Sequence, residues 1–388
     1  MTRPRDDLVE RTSRRWCRVG LRGVLDDLDR AGETCPVPGE AAGEGFAWDE
    51  FDRDDHRWWP QGVASIRAGE LLLVSWYAKR RWLVHTPGAR ISVIDRSDRR
   101  CPRYRHVLLV APHRRAGILT AGGVRVHAGG IAVRGDLLYV ADTFFGVRVF
   151  RLSDVIRTVT TRGSGAKDYV LPQLMRFRIP LRDGLQRLRY SFVSIGHEDG
   201  RPNLVVGEYR RKGSAPRLAR YPLDPRTGLP LLDGHGRCAP LEIYERQPNR
   251  MQGAALEESV WFLTASAGGG NPGDLYVGAP GAWQRHRRVL PPSPEDLDWS
   301  VPGEELWCLS EWPGSRWVFP IAARDWHRPP GVRGHDARGA AGCPAPPTPP
   351  AARRRTRPGD PRAVRARTPR SRPDIRGVAN QSAVSRPE

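Results

Sequence analysis

The segment HAGGIAVRGDLLYVADTFFGVRVFRL, from His127 to Leu152, contains three short apolar runs in close succession. The runs GGIAV, LLYVAD and VRVFRL combine β-branched, aromatic and small residues, as packed β-strands do. Turn-forming sequences separate them, RGD first and FFG second. The segment therefore predicts consecutive short strands, and its recurrence along the chain indicates a radial or stacked β architecture.

This pattern recurs in five units, which begin at Gln61, Gly129, Phe192, Gln252 and Leu297 and so lie about 60 residues apart on average. A four-stranded antiparallel unit cannot bury both of its faces alone, whereas units stacked around an axis cover one another. We therefore predict an all-β fold, a β-propeller of five blades, or of six if residues 1–56 hold further strands. The fifth unit has no obvious fourth strand, and we expect the N-terminal segment to complete it.

The chain divides into three parts by composition. Residues 1–56 form an N-terminal segment with a Gly/Pro/acidic linker, and residues 57–322 carry the repeats. Residues 323–388 are rich in Arg, Pro, Ala and Gly without apolar periodicity, which predicts a disordered tail. The composition changes abruptly after WVFPIAA. A frameshifted reading frame and a genuine basic tail both remain open as explanations.

The net charge of +20 suggests nucleic-acid binding, but its distribution argues against it. Lysine occurs at only three positions, so arginine carries nearly all of the positive charge, as in GC-rich codon usage. About half of the excess lies in the last ~65 residues, where disorder is expected. Nucleic acid is therefore an unlikely partner, and arginine-mediated binding is kept only as a second alternative.

Membrane and export signals are missing from the sequence as given. No window approaches the ~20 apolar residues of a membrane span, and the N-terminus lacks an apolar core of ~7–15 residues. We accordingly expect no membrane partner and a cytoplasmic location for the chain as written. The six cysteines form no C-x-x-C pair and no zinc-type spacing, so no metal site is predicted from them.

The run LLYVADTFFGVRVFRL is similar to the NHL-type propeller repeat, in which an LYVAD strand precedes an R-V-x-V-F strand. Together with WWPQGV, LLVSWY, HAGGIAV, MQGAA and PGEELWCLSEWPGSR, it resembles a family of uncharacterised actinomycete proteins over residues 50–320. The resemblance implies the propeller fold and no particular activity. It also implies secretion, which the N-terminus of this chain does not predict.

The first strand of each propeller blade lines the central channel, and loops at one face build the site. Aligning the units places Gln61-Gly62-Val63, Gly129-Gly130-Ile131, Gln252-Gly253-Ala254 and Leu297-Asp298-Trp299 at equivalent positions. Polar side chains then converge at one channel mouth, which predicts a binding site for a polar small molecule, a glycan or a protein. The candidate residues are Trp59, Gln61, His127, Arg250, Gln252 and Asp298.

His127 is the leading candidate, as a general base, a metal ligand or a sugar contact, and a purely structural histidine is the competing interpretation. Asp142 in YVADT is expected to accept backbone N–H bonds in the following turn rather than to bind a metal.

The sequence contains no HExxH, no GxSxG and no Cys/His metal set, and AGGGNPGD does not match a phosphate-binding loop. We therefore predict ligand binding without catalysis, and we identify no cofactor. The alternative is a metal-dependent hydrolase, by analogy with gluconolactonase-type propellers. That enzyme would need three or more His or carboxylate ligands for a divalent cation, and the alignment places only His127 and Asp298 on the axis.

Overall fold

The computed structural model describes residues 6–15, 17–79, 88–115, 118–159, 167–177, 188–211, 215–234, 238–268, 270–300 and 305–327. The chain divides into two units after Val332, and all described residues lie in the first. The predicted disordered tail lies outside the described residues from position 328 onward.

The N-terminal segment contains short helices and strands. They are α1 (Asp6–Arg15), β1 (Cys17–Arg18), α2 (Gly20–Leu25), β2 (Arg30–Ala31), β3 (Glu33–Cys35), β4 (Gly45–Ala47) and α3 (Glu50–Asp54). None of the described helices is long and apolar enough to cross a membrane.

The first two blades follow in chain order. Blade 1 consists of β5 (Trp58–Ile66), β6 (Leu71–Ala78), β7 (Ala89–Asp95) and β8 (Arg103–Arg115), with β9 (Ile118–Gly123) paired to β8. Blade 2 consists of β10 (Ile131–Arg134), β11 (Leu137–Asp142), β12 (Gly146–Arg151) and β14 (Lys167–Phe177), with a 3₁₀ turn (Leu152–Asp154) and β13 (Ile156–Val159) before β14. The outer strands β14 and β8 also pair in parallel, which joins the two blades at their rims.

The remaining blades repeat the four-stranded pattern. Blade 3 consists of β15 (Phe192–Glu198), β16 (Arg201–Gly207), β17 (Leu218–Pro222) and β18 (Glu242–Tyr244). Blade 4 consists of β19 (Met251–Glu257), β20 (Val260–Ala265), β21 (Pro272–Ala279) and β22 (Ala282–Pro292). Blade 5 consists of β23 (Pro294–Ser300), β24 (Glu305–Ser310), β25 (Trp317–Ala322) and the N-terminal β4, and β3 pairs with β4 outside it.

The inner strands form a closed ring. β5 contacts β10, β10 contacts β15, β15 contacts β19, β19 contacts β23, and β23 contacts β5 again. The described residues thus form a five-bladed β-propeller, and the predicted fold is confirmed. The outer strand of blade 5 is β4, whose residues Phe46 and Ala47 pair with Val318 and Trp317.

A hydrophobic cluster fills each space between neighbouring blades, and this explains the composition of LLYVAD. Leu138 and Val140 point into the cluster shared with blade 1, whereas Tyr139 and Ala141 point into the cluster shared with blade 3. Successive side chains of a strand face opposite sides, so a strand covered on both faces is apolar along its whole length. Unbroken apolar runs of this kind therefore mark the inner and middle strands.

A buried polar network attaches the N-terminal segment to blade 1. The carboxylate of Asp52, on α3, accepts hydrogen bonds from Arg90 Nη2 at 2.7 Å and from Tyr104 Oη at 2.8 Å. His106 Nε2 lies 2.9 Å from the same carboxylate, and Arg30 Nε lies 2.9 Å away. These contacts outweigh the burial of Asp52 and hold its pKa below the ordinary value.

The propeller extends slightly beyond the predicted boundary at residue 322. The helix α4 (Ala323–Trp326) follows β25, with Ala323 buried and Trp326 packed on the cluster between blades 4 and 5. The ring of Trp326 also makes an edge contact with His286 at 4.8 Å. The first residues of the predicted tail, Ala323 and Trp326, therefore pack against the propeller.

Candidate functional site

A cavity of about 380 Å³ opens at one end of the central channel, and all five blades contribute to it. We call it the channel-mouth cavity. Its lining comes from the ends of inner strands and from the loops beside them: Trp59, Gln61, Tyr77, Lys79, His127, Gly129, Thr143, Phe144, Arg189, Ser191, Tyr209, Gln252, Glu295, Glu311 and Trp312.

Irregularities in three inner strands determine which side chains reach the channel. The pairing registers shift between Pro60 and Gly62, between Met251 and Gly253, and between Glu295 and Leu297, which leaves Gln61, Gln252 and Asp296 unpaired. A β-bulge of this kind redirects the side chain of the extra residue. The three bulges occupy the same place in blades 1, 4 and 5, so the same irregularity recurs in three of the inner strands that form the channel.

The glycine after the bulge permits close packing of the inner strands. A Cβ atom on Gly253 would lie 2.4 Å from the backbone nitrogen of Leu297, and one on Gly62 would lie 2.7 Å from that of Ile131. Both distances are far shorter than a normal contact. The recurring Gln-Gly pairs of the sequence therefore combine a redirected polar side chain with a residue small enough for the neighbouring blade.

Two amide–carboxylate pairs lie at the cavity. Gln252 Nε2 donates to Glu295 Oε1 at 2.7 Å, and Gln61 Nε2 donates to Glu311 Oε2 at 2.8 Å. The backbone carbonyl of Pro60 accepts a second hydrogen bond from the Gln61 amide at 2.8 Å. These hydrogen bonds orient both amides and leave carboxylate oxygen atoms beside the cavity.

The two glutamates differ in their electrostatic surroundings. Burial, followed by the charges of Glu311 and Asp296, raises the pKa of Glu295 well above its ordinary value. Burial also raises the pKa of Glu311, but Gln61, Lys79 and Arg316 oppose that shift. The pKa values of both carboxyl groups are therefore raised, and that of Glu295 is raised more strongly.

The aromatic residues of the cavity form two groups. Trp59 and Trp312 meet edge to face with ring centroids 5.2 Å apart, and Trp312 is 42% exposed. Tyr77 stacks on the imidazole of His127 at 4.5 Å. The exposed Phe144, on the turn between β11 and β12, completes the apolar part of the rim.

His127 lies in the loop that leads into β10, and its side chain is exposed at the channel mouth. Desolvation by the neighbouring groups of the channel mouth, followed by the positive charge of Lys79, lowers the pKa of His127. At neutral pH this residue therefore presents an uncharged imidazole to the cavity.

Of the candidates that the sequence indicates, Trp59, Gln61, His127 and Gln252 line the cavity, whereas Arg250 and Asp298 are not among its lining residues. Asp298 is buried further along β23, where its Oδ2 accepts a hydrogen bond from the Ser65 backbone N–H at 2.7 Å. Arg250 precedes β19 and has a positive φ of 62°, and its backbone bonds to Arg210 and Ser266.

The sequence alignment of the fifth unit was off because of its bulge. Asp296, and not Leu297, is the counterpart of Gln61 and Gln252. The shift brings Glu295 to the cavity, a residue that the alignment overlooked. Glu311 and Trp312 were also overlooked. They follow directly after the second strand of blade 5, as Lys79 follows the second strand of blade 1, and this equivalent position could have indicated them as cavity residues.

Asp296 lies beneath the cavity and links three blades. Its Oδ2 accepts hydrogen bonds from the backbone N–H groups of Val63 at 3.1 Å and Ile131 at 3.0 Å. The residue is fully buried, and this burial raises its pKa well above the ordinary value. Asp296 therefore ties the inner strands of blades 1 and 2 to blade 5.

Asp142, at the end of β11, has a structural role. Asp142 Oδ1 accepts a hydrogen bond from the Phe145 backbone N–H at 3.3 Å in the following turn, as the sequence predicts. Its other oxygen accepts one from Arg148 Nε at 2.8 Å. Among the described residues, no group of three or more His, Cys, Asp or Glu side chains is arranged to hold a metal ion.

No family model and no curated protein matches this sequence. Solved structures with weak similarity include a gluconolactonase from Xanthomonas campestris, 14% identical over 76% of this chain and 85% of that chain, with a TM-score of 0.32. The β-propeller domain of Cps50 from Myceliophteria thermophila is 11% identical over 68% of this chain and 97% of that chain, with a TM-score of 0.35. The β-xylosidase RS223 is 9% identical over 70% of this chain and 93% of that chain, with a TM-score of 0.34. These activities belong to those proteins, and the five-bladed architecture described above rests on the strand pairing of this chain.

Proposed function

We propose that this protein binds a polar small molecule in the channel-mouth cavity. The observation that carries the proposal is the pair of glutamine–glutamate contacts, Gln61 with Glu311 and Gln252 with Glu295, at one cavity. Burying a polar group costs free energy unless the group is hydrogen-bonded. Polar groups placed around a preformed cavity orient a ligand and make its binding specific.

The size of the cavity supports a small ligand. Its volume of about 380 Å³ lies within the 300–1,000 Å³ that ligand pockets typically occupy. Trp312 and Phe144 offer apolar surface at the rim, while the amides, the carboxyl groups and the neutral imidazole of His127 offer hydrogen bonds inside. A ligand that combines an apolar face with several polar groups fits this division.

The proposal is tested with a panel of sugars, polyols and small amines by isothermal titration calorimetry on the full chain. For a ligand that binds, we expect Gln252→Ala to weaken the affinity at least about tenfold, since one lost hydrogen bond to a charged or buried group costs about 1.5–3 kcal/mol. The melting temperature of each variant, measured in parallel, reports whether the fold is retained.

Gln284→Ala is the matched control, because Gln284 lies exposed on β22, the outer strand of the same blade. Its affinity should equal that of the unmodified protein. If the two variants weaken binding equally, or if no compound of the panel binds, the channel-mouth cavity is not the site of a polar small molecule.

A further inference from the structure

The ammonium group of Lys79 occupies a corner of the channel-mouth cavity. Its Nζ lies 2.9 Å from the ring centroid of Trp59 and 6.0 Å from that of Trp312. The two indole rings are inclined at 76° to each other. The cation is therefore held against two aromatic surfaces, which attract positive charge through the negative potential of their faces.

A carboxylate adds to the attraction at this corner. Desolvation and the charge of Arg316 lower the pKa of Lys79, and the carboxylate of Glu311, which follows β24 immediately before Trp312, opposes that shift. Arg316 Nε donates to the backbone carbonyl of Glu311 at 2.7 Å, which fixes the loop that carries both Glu311 and Trp312. Trp59 is fixed as well, because its Nε1 donates to the carbonyl of His56 at 3.0 Å. The corner is thus built on positioned groups.

Lys79 itself is held much less firmly. Its side chain is exposed, and the described residues give its ammonium group no ion-pair partner within 4.0 Å. A lysine side chain on a flexible four-carbon stem can leave such a position without disturbing the strand that carries it.

We infer that the corner formed by Trp59, Trp312 and Glu311 is a subsite for an ammonium group of the ligand, and that Lys79 fills it when no ligand is bound. This inference rests on the proposed function, since it names the charge of the ligand that the cavity binds. The ammonium group is a primary or methylated one, and the rest of the ligand reaches the amides of Gln61 and Gln252.

The occupancy of the Trp59 face favours an ammonium ligand over a neutral ring. Trp59 is only 4% exposed, and the Lys79 ammonium covers the face that a sugar ring would need. A neutral ring that displaced Lys79 would lose the contact between cation and indole without replacing it. An incoming ammonium group replaces that contact with an equivalent one.

The test compares choline with 3,3-dimethyl-1-butanol, its uncharged analogue of the same shape, by isothermal titration calorimetry. Lys79→Met empties the corner and keeps the apolar stem. We expect this variant to bind choline at least about tenfold more tightly than the unmodified protein does, and to bind the uncharged analogue more weakly than choline. Arg287→Met, which removes one positive charge from the exposed part of β22, should leave choline binding unchanged.

A second substitution shows whether the gain depends on the corner. Trp312 is exposed at the rim, so Trp312→Leu is expected to fold, and the double variant with Lys79→Met should lose most of the gained affinity. Equal binding of choline and its uncharged analogue by Lys79→Met, or no gain over the unmodified protein, would overturn the inference. If a compound of the panel above still binds in a Gln252-dependent manner, the proposed function survives that failure. If nothing binds, both fail.

Discussion

The buried carboxylate of Asp298 is one of the groups that couple the stability of the ring to pH. It lies on the inner strand β23 with only 6% of its surface exposed, and it accepts a hydrogen bond from the Ser65 backbone. Burial raises its pKa from the ordinary 3.8 to about 7. Because the folded pKa lies above the unfolded one, its stabilising effect is complete below pH 4 and is lost as the pH rises through 7.

Asp298→Asn should remove the part of the pH dependence that Asp298 causes, because asparagine keeps the acceptor for Ser65 without a charge. We expect the variant to match the unmodified protein at pH 4 and to have a free energy of unfolding higher by roughly 2–4 kcal/mol at pH 8. Urea unfolding followed by circular dichroism at both pH values measures the difference. Asp199→Asn, at an exposed position in the turn after β15, is the control. An equal difference at pH 4 and pH 8 would show that titration of Asp298 is not its cause.

At the scale of the element, β11 shows how a strand is stabilised by two neighbouring blades at once. Leu138 is fully buried in the cluster with blade 1, whereas the adjacent Leu137 is half-buried on the other face. Leu138→Ala leaves a cavity that the packed sheets cannot move to fill. We therefore expect the free energy of unfolding to fall by about 2–5 kcal/mol.

Leu137→Ala provides the comparison within the same strand. Denaturant titration should give it a clearly smaller loss than Leu138→Ala, since its side chain is already partly solvated in the folded protein. If the two losses were equal, the assignment of Leu138 to the space between the blades would be in error.

The strands were predictable from the sequence because their signal is local. GGIAV, LLYVAD and VRVFRL each consist of residues that a sheet covered on both faces requires, and the predicted runs correspond to β10, β11 and β12.

The bulges were not predictable in the same way. Whether Asp296 or Leu297 matches Gln61 depends on the pairing of β23 with β24, which is settled by tertiary packing. Four of the six candidate residues therefore line the channel-mouth cavity, while its two glutamates were missed. The strands β3 and β4, with three residues each, are too short to leave a periodic pattern.

At the scale of the whole molecule, the C-terminal limit of the propeller is open to a direct test. Truncation after His327 retains every described residue, and we expect its melting temperature to stay within a few degrees of that of the full chain. Truncation after Ala322 also removes Ala323 and Trp326, which pack on the cluster between blades 4 and 5, and it should lower the melting temperature further. Differential scanning calorimetry distinguishes the two. Equal melting temperatures of both truncations would place α4 outside the stabilised fold.

The pairing of β4 with β25 has a consequence for synthesis on the ribosome. β4 emerges among the first fifty residues, and β25 begins only at Trp317, so nearly the whole chain must be made before the two can meet. Until then the edge of β4 opposite β3 is unpaired, and such edges can pair with other chains. With only three residues, Gly45–Ala47, β4 offers few backbone hydrogen-bonding groups to a strand of another chain. The short length of β4 thus reduces the risk of aggregation during the synthesis of the chain, before β25 is available for pairing.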